Sequence, residues 1–439
     1  DLMCKNPALY NPYTYKIKNY RKVIAEQENI AAESVGIDKI NASREKDSLR
    51  ALSRRNQVLY QWLRNSKKGN EAIKHSLTEE EYEVLIKKPL VVSYTSVDHK
   101  EGLAPYFREA LRQEVTNILL KKNADGTFAS KREDGQPYDI YRDGLKIYTT
   151  LNTRLQKYAE YAVEKHIKES LQPAFNKNNR GLKNFPFSND ISAASVNQIM
   201  NSARKNSSRF KSLVAAGLSE DETISTFNNP AQMRVFSWRG EIDTVMTPND
   251  SIRYYKAFLH AGLLTIEPQT GFVRAWVGGV NFKHFSYDHV RQGTRQVGST
   301  IKPFVYAAAL SCHAVNPCTT FSPGEYCVNM VDANNKVVGK YCPRGDVAKN
   351  VKMGIALSSN PTTVAVMSKM GDFNPANKKG GPFEIEALLR KTEINLNPSD
   401  VVPSMCLGSM DLSLFRLVAA QCIFPNSGIY NQPTTIERI

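Results

Sequence analysis

The stretch Gly298-Ser-Thr-Ile-Lys-Pro303, followed at once by Phe304-Val-Tyr-Ala-Ala-Ala-Leu310, constrains this chain more than any other. Proline lacks an amide proton and clashes with the carbonyl four residues back, so it belongs in the first turn of a helix and rarely inside one. The helix therefore starts close to Ser299, and the apolar run behind it must be buried in a core. A serine and a lysine three residues apart lie on one helix face, so Lys302 can reach the hydroxyl of Ser299. The free amides and positive dipole end of a helix N-terminus favour a developing negative charge there. A lysine desolvated by burial spends part of its time neutral and can take a proton. Ser299 and Lys302 read as a nucleophile and its base.

The bare spacing recurs at Ser43 with Lys46, Ser202 with Lys205 and Ser208 with Lys211. Those pairs lie in polar, charge-rich stretches without a proline to mark a helix start or an apolar run to bury them, and they read as solvated surface. Upstream of Ser299, residues Leu264 to Gly279 form two strand-like runs joined by the turn Pro268-Gln-Thr-Gly271, which predicts a hairpin. Downstream, Ala356-Leu-Ser-Ser-Asn-Pro-Thr-Thr-Val-Ala-Val366 supplies a second polar group, Ser358, Ser359 and Asn360.

The hairpin, then Arg291-Gln-Gly-Thr-Arg-Gln-Val-Gly298, then the serine and lysine, then Ser358 and Asn360 closely resemble the transpeptidase domain of class A penicillin-binding proteins. Pro403-Ser-Met-Cys-Leu-Gly408, Leu414-Phe-Arg-Leu-Val-Ala-Ala420 and Asn426-Ser-Gly-Ile-Tyr430 are similar to that family's next landmarks. The resemblance implies an α+β fold of the beta-lactamase/DD-peptidase type, an antiparallel sheet flanked by helices, over residues 261–439. It implies that Ser299 attacks the penultimate D-alanine carbonyl of a peptidoglycan stem peptide, with Lys302 as base. Ser358 would relay a proton to the leaving amine, and Asn360 would hold Lys302 and the substrate amide. Stem peptides ending in D-Ala-D-Ala and beta-lactams are the implied ligands, other cell-wall synthesis proteins are candidate partners, and neither cofactor nor metal is expected. A second serine and asparagine, Ser195 with Asn197, stand in a polar region without a nucleophile and read as a chance match.

The family's third motif, K-T-G or K-S-G, does not occur here, and Lys391-Thr-Glu393 is the nearest approach. The chain opens on Asp1, with no signal peptide and no apolar run long enough to span a bilayer. These features suggest a piece of a longer protein, held at the outer face of the cytoplasmic membrane by an anchor lying elsewhere. Lys5 to Tyr13 and Arg54-Arg-Asn-Gln-Val-Leu59 resemble the last turns of the family's glycosyltransferase module. We therefore expect the tail of that module over residues 1–90, a linker region over 91–260 with an elaborated insertion at 172–235, and the truncated transpeptidase domain at 261–439. Tyr141 to Leu151 predicts a strand, and Thr153 to Leu171 a helix capped by Asn152 or Thr153. A non-catalytic, penicillin-recognising or scaffold domain of the same fold is the alternative.

The net charge of +15 invites a nucleic-acid reading. The basic residues, however, are spread over helices and the insertion, without zinc-finger spacing, basic-region heptads or an aromatic single-strand platform. They read as solvated faces suited to anionic lipid headgroups and acidic wall polymers, with no nucleic-acid partner. The seven cysteines matter because the resemblance implies an oxidising compartment. Cys327 and Cys342 are equidistant from Asn334-Asn335 and would face each other across a hairpin carrying a bulge or a longer turn. Cys312, His313, Cys318, Cys327 and Cys342 have spacings that fit no standard zinc site. Cys4, Cys406 and Cys422 read as buried or unpaired thiols, and His284 with His289 as surface residues.

Overall fold

The computed structural model describes residues 52–67, 76–88, 102–332 and 336–439. Two compact units divide the chain: Val97–Pro173 join Leu259–Ile439, and Asp1–Ser96 join Ala174–Phe258. Among the described residues the strands pair in twos, always antiparallel, and no helix is long and apolar enough to cross a membrane.

The unit that carries Ser299 opens with α1 (Pro105–Leu119), which buries Tyr106, Phe107, Val115 and Leu119. The strand expected over 141–151 is shorter: β1 (Tyr148–Thr149) pairs with Ile436–Arg438 near the other end of the chain. Asn152 caps α2 (Thr153–His166), its side-chain oxygen accepting from the N–H groups of Arg154 and Leu155, as the sequence predicts. The expected hairpin is present as β2 (Leu263–Ile266) and β3 (Val273–Val277). Its turn residue Gly271 has φ 75°, and a Cβ there would come within 2.4 Å of the Gln432 carbonyl oxygen, so only glycine fits.

Helix α2 is stitched to β3 through one buried side chain. Gln156 donates to the Trp276 carbonyl at 2.8 Å and accepts from the Trp276 N–H at 2.7 Å, completing the strand's unpaired edge at that residue. Trp276 is fully buried, with Phe107 and Phe415 against its ring. Beside this layer lies a second core. Strand β4 (Thr294–Gln296) leads into a 3₁₀ turn, Gly298–Ile301, and then α3 (Lys302–Ser311). β5 (Val328–Val331) and β6 (Val337–Tyr341) form a hairpin, followed by α4 (Val351–Ala356), α5 (Asn360–Lys369) and α6 (Gly381–Arg390). Ile301, Phe304, Val305, Val364, Val366, Ile385 and Leu389 are wholly buried where these helices meet, each worth about 1.5–3 kcal/mol of transfer free energy. β7 (Asp411–Ser413) pairs with β4, α7 (Leu414–Gln421) follows, and β8 (Ile436–Arg438) closes on β1.

The β5–β6 hairpin carries the expected disulfide, Cys327–Cys342, with the Cα atoms 4.2 Å apart. The register slips between Met330 and Val331, and Asp332 donates to Lys336 at the tip. That slip supplies the irregularity required for the cysteines to be close neighbours across the ladder.

In the other unit, residues 52–67 and Glu79–Lys87 are helices, the second opened by a Thr78–Glu81 capping box. Arg55 donates to the Ile86 and Lys88 carbonyls and so satisfies the end of that helix. The segment read as an elaborated insertion holds, after the helix Gln172–Asn178, the helices Ala193–Asn206, Ser208–Ala215 and Glu220–Thr226, these last each started by a serine cap at Ser192, Ser207 or Ser219. A hairpin, Ala231–Ser237 with Gly240–Met246, and the helix Pro248–Lys256 follow it, with Phe236, Trp238, Tyr254, Tyr255 and Phe258 clustered mostly edge to face. The stretch 172–235 itself buries Phe187, Met200, Phe210 and Phe227 and has the ordered caps of a folded module.

Candidate active site

The serine-lysine motif is held from two sides. Val297 N–H donates to the Met410 carbonyl at 3.1 Å and Gly298 N–H to the Gly408 carbonyl at 3.0 Å, extending the β4–β7 pairing up to the 3₁₀ turn. Both glycines have positive φ, 53° at Gly298 and 79° at Gly408. A Cβ on Gly408 would lie 2.1 Å from the Gly298 carbonyl oxygen, so the two backbones pass where no side chain fits. The Gln421 side chain donates to the Thr300 carbonyl at 2.8 Å from the other side. Pro303 stands in the first turn of α3, as expected, and Ser299 falls one step earlier, in the 3₁₀ turn.

Ser299 is exposed, whereas Lys302 is 2 % exposed. The Lys302 ammonium donates to the Ser358 carbonyl at 2.5 Å, the Ser358 hydroxyl at 3.0 Å and Asn360 Oδ1 at 2.6 Å. Burial pushes its pKa below the ordinary lysine value. The nearest thiol, Cys406, is itself pushed up to about 12 by burial. It is therefore uncharged at neutral pH and gives Lys302 no compensating anion. All three donors of the ammonium are satisfied. A neutral amine could keep two of them on the two carbonyl-type oxygens and turn its lone pair to a hydroxyl, since a hydroxyl can donate as well as accept.

Ser358 reaches Lys302 because its backbone is left-handed, with φ 52°, a conformation costly for a residue with a Cβ. It follows α4 directly, with its N–H on the Ile355 carbonyl, and the reversal turns both its oxygens toward the lysine. Ser359 then caps α5: its hydroxyl accepts from Thr362 N–H and donates to the Asp346 carbonyl at 2.8 Å. Asn360 is the first residue of α5, with Pro361 beside it. Gly354 lets α4 approach α3 and α5, since a Cβ there would meet Thr362 at 2.5 Å and the Tyr306 hydroxyl oxygen at 2.7 Å.

Three of the four residues singled out from the sequence, Lys302, Ser358 and Asn360, thus form one hydrogen-bonded cluster. Ser299 lies one turn ahead of Lys302 on the same segment. Sequence reading missed the left-handed Ser358, for which no residue-type signal exists in a serine, and the Gly298–Gly408 crossing, for which Leu407-Gly408 was a visible cue.

Residues 182–259 match the family described as penicillin-binding protein middle domain, a stretch overlapping the segment read as an insertion. Penicillin-binding protein 1A of Rickettsia bellii is 25% identical over 448 aligned positions, covering 95% of this chain and 49% of that protein. Penicillin-binding protein 1A of Haemophilus influenzae is 23% identical, over 87% of this chain and 43% of that protein. The chain is a homologue of the class A penicillin-binding proteins. It spans about half the length of the curated relatives it matches. The crystal structure of penicillin-binding protein 1A from Haemophilus influenzae aligns over 89% of this chain and 54% of its own, at 18% identity and a TM-score of 0.48.

In this class A homologue the other serine-lysine pairs are ordinary surface. Lys205 is engaged by Glu220 at 2.6 Å, both groups being exposed, and Ser208 lies in the first turn of a helix capped by Ser207. Ser43 and Lys46 lie outside the described residues, as does Cys4. Ser195 bonds Ser192 at the start of its helix. His289 departs from the surface reading: it is half-buried and stacked on His260, with ring centroids 5.1 Å apart. The disulfide occupies Cys327 and Cys342, which removes both from any metal set.

Proposed function

We propose that this chain carries the acyl-transfer site of a D,D-transpeptidase that crosslinks peptidoglycan stem peptides on the outer side of the cytoplasmic membrane. The observation that supports it best is the buried Lys302 amine, ringed by Ser358 and Asn360 and one turn from the exposed Ser299.

In this reading Ser299 Oγ attacks the carbonyl carbon of the penultimate D-alanine while its proton passes to Lys302 in its neutral form. The Ser299 amide at the head of the 3₁₀ turn faces the developing oxyanion. As the tetrahedral intermediate collapses, the C–N bond breaks. The proton moves from Lys302 through the Ser358 hydroxyl to the departing D-alanine amine, leaving an ester on Ser299. An amine of a second stem peptide then attacks that ester and releases the serine; water in its place gives carboxypeptidation. Asn360 holds Lys302 through Oδ1 and has its amide N–H₂ left for the substrate. A beta-lactam would acylate the same oxygen. By family likeness, the protein to which the chain belongs would also polymerise glycan strands, through residues other than those present here.

The experiment is acylation by a fluorescent penicillin in the protein carrying this chain, with Ser299→Ala, Lys302→Ala and a control at Ser202→Ala. Loss of label in the first two and full label in the third is the expected result. Binding of the penicillin with no covalent label in the unsubstituted protein would move the reading to a non-catalytic recognition domain of the same fold.

A further inference from the structure

Helix α2 shows its outer side to solvent as one unbroken basic and aromatic line. Arg154, Tyr158, Tyr161 and Lys165 follow one another at intervals of four, three and four residues, which sets them in a single row along a helix. Tyr158 and Tyr161 are 64% and 62% exposed, unusually open for tyrosines in a helix that packs on a sheet. The opposite side is fixed against β3 by Gln156 and Ala159, so the row faces directly away from that strand. Lys157 and Lys168 flank it. Of the acids nearby, Glu164 is drawn to Lys168 at 3.8 Å, and the exposed Glu169 acts on Lys165 at the C-terminal end of the row, so Arg154, Tyr158 and Tyr161 form its acid-free part. Lys165 lies with its ammonium 5.4 Å from the Tyr161 ring centroid.

We propose that this row is a docking surface for an anionic phospholipid bilayer. The row extends about 17 Å on a convex helix face. Small molecules and single polymer strands are gripped in concave sites, whereas a straight convex row matches a plane. Its chemistry is that of the membrane–water interface. Tyrosine places an apolar ring and a polar tip at the headgroup level, and lysine and arginine lay their stems along it with the charge among phosphates. The helix does not need to insert, because its apolar side is already buried. Attraction to anionic headgroups supplies the binding and the tyrosines the contact. The surface is separate from the Ser299 site and stands whether or not Ser299 is acylated.

The test is co-sedimentation of the whole chain with vesicles of phosphatidylglycerol and phosphatidylcholine in equal parts, against vesicles of phosphatidylcholine alone. R154E/K165E reverses the row, Y158S/Y161S removes the rings, and K349E/K352E makes the same charge change at exposed lysines elsewhere in the same unit. All of these side chains are exposed, and an unchanged melting temperature certifies the fold. The wild-type chain and K349E/K352E should bind the anionic vesicles, R154E/K165E should partition roughly a hundredfold more weakly, and Y158S/Y161S should lose a smaller share. Equal losses in K349E/K352E and R154E/K165E would attribute binding to net charge and overturn the proposal. So would undiminished binding by R154E/K165E, equal binding to neutral vesicles, or no vesicle binding at all.

Discussion

Replacing Asn360 by alanine should lower both the rate of beta-lactam acylation and the pH at which that rate rises, a combination that separates positioning from proton chemistry. Asn360 Oδ1 accepts from Lys302 Nζ at 2.6 Å and is one of three acceptors on a buried ammonium. A hydrogen bond to a charged group is worth about 1.5–3 kcal/mol, and it stabilises the protonated lysine more than the neutral one. Its loss should therefore push the Lys302 pKa, already depressed by burial, further down. In the apparent second-order rate of acylation by a fluorescent penicillin, the ascending limb of the pH profile reports the free base. That limb should move to lower pH in Asn360→Ala, while the plateau falls because the amine has lost one of its two carbonyl-type anchors. A limb that stays in place, or moves up, would refute the claim that Asn360 stabilises the ammonium.

Stability should respond to the same lysine. Its folded pKa lies below the unfolded value, so the unfolded chain binds more protons between the two, and unfolding free energy from urea titrations should rise with pH as it approaches the ordinary lysine range near about 10.4; Lys302→Met should flatten that slope. Gly408→Ala combines a left-handed alanine with a 2.1 Å clash against Gly298 and loss of one backbone hydrogen bond, and should cost about 2–4 kcal/mol in urea unfolding and slow acylation. Alkylation by iodoacetamide of the native chain should mark the exposed Cys312 and Cys318 and spare Cys406, whose buried thiol holds its proton up to about 12; rapid labelling of Cys406 would contradict its burial. Cys327→Ser with Cys342→Ser opens a loop with a sequence separation of 15 and should cost up to about 3 kcal/mol, measured by thermal unfolding under non-reducing conditions.

The parts of the fold that were legible in the sequence are those whose signal is local. Pro303 marked the start of the Ser299–Lys302 helix because its missing N–H is tolerated only there. Asn152 announced α2 as a cap, and Pro268-Gln-Thr-Gly271 announced a turn whose glycine has no space for a side chain. The cysteine spacing gave the disulfide, and even the need for an irregularity between Cys327 and the hairpin tip. What escaped depended on distant partners. The run from Tyr141 to Leu151 has strand composition, yet the ladder with Ile436–Arg438 holds Tyr148 and Thr149 alone, with the Thr150 N–H donating to the Thr435 carbonyl just past a register shift. Residues 172–235 looked sparse in large apolar clusters. Their buried large residues, Phe187, Met200, Phe210 and Phe227, stand singly and far apart along the segment, which a linear reading cannot add up. His289 looked like a surface residue because its stacking partner, His260, precedes the hairpin. At the candidate site, the residue types and order were legible. The geometry was not: the left-handed turn at Ser358 comes from the way α4 ends against α5, and a serine gives no warning of it.

The measurement that bears most directly on the central claim is mass spectrometry of peptides from the protein carrying this chain after reaction with benzylpenicillin. A single penicilloyl adduct is expected on the peptide that contains Ser299, absent from Ser299→Ala and strongly reduced in Lys302→Ala. An adduct on any other serine, or a labelled Ser299→Ala protein, would contradict that claim.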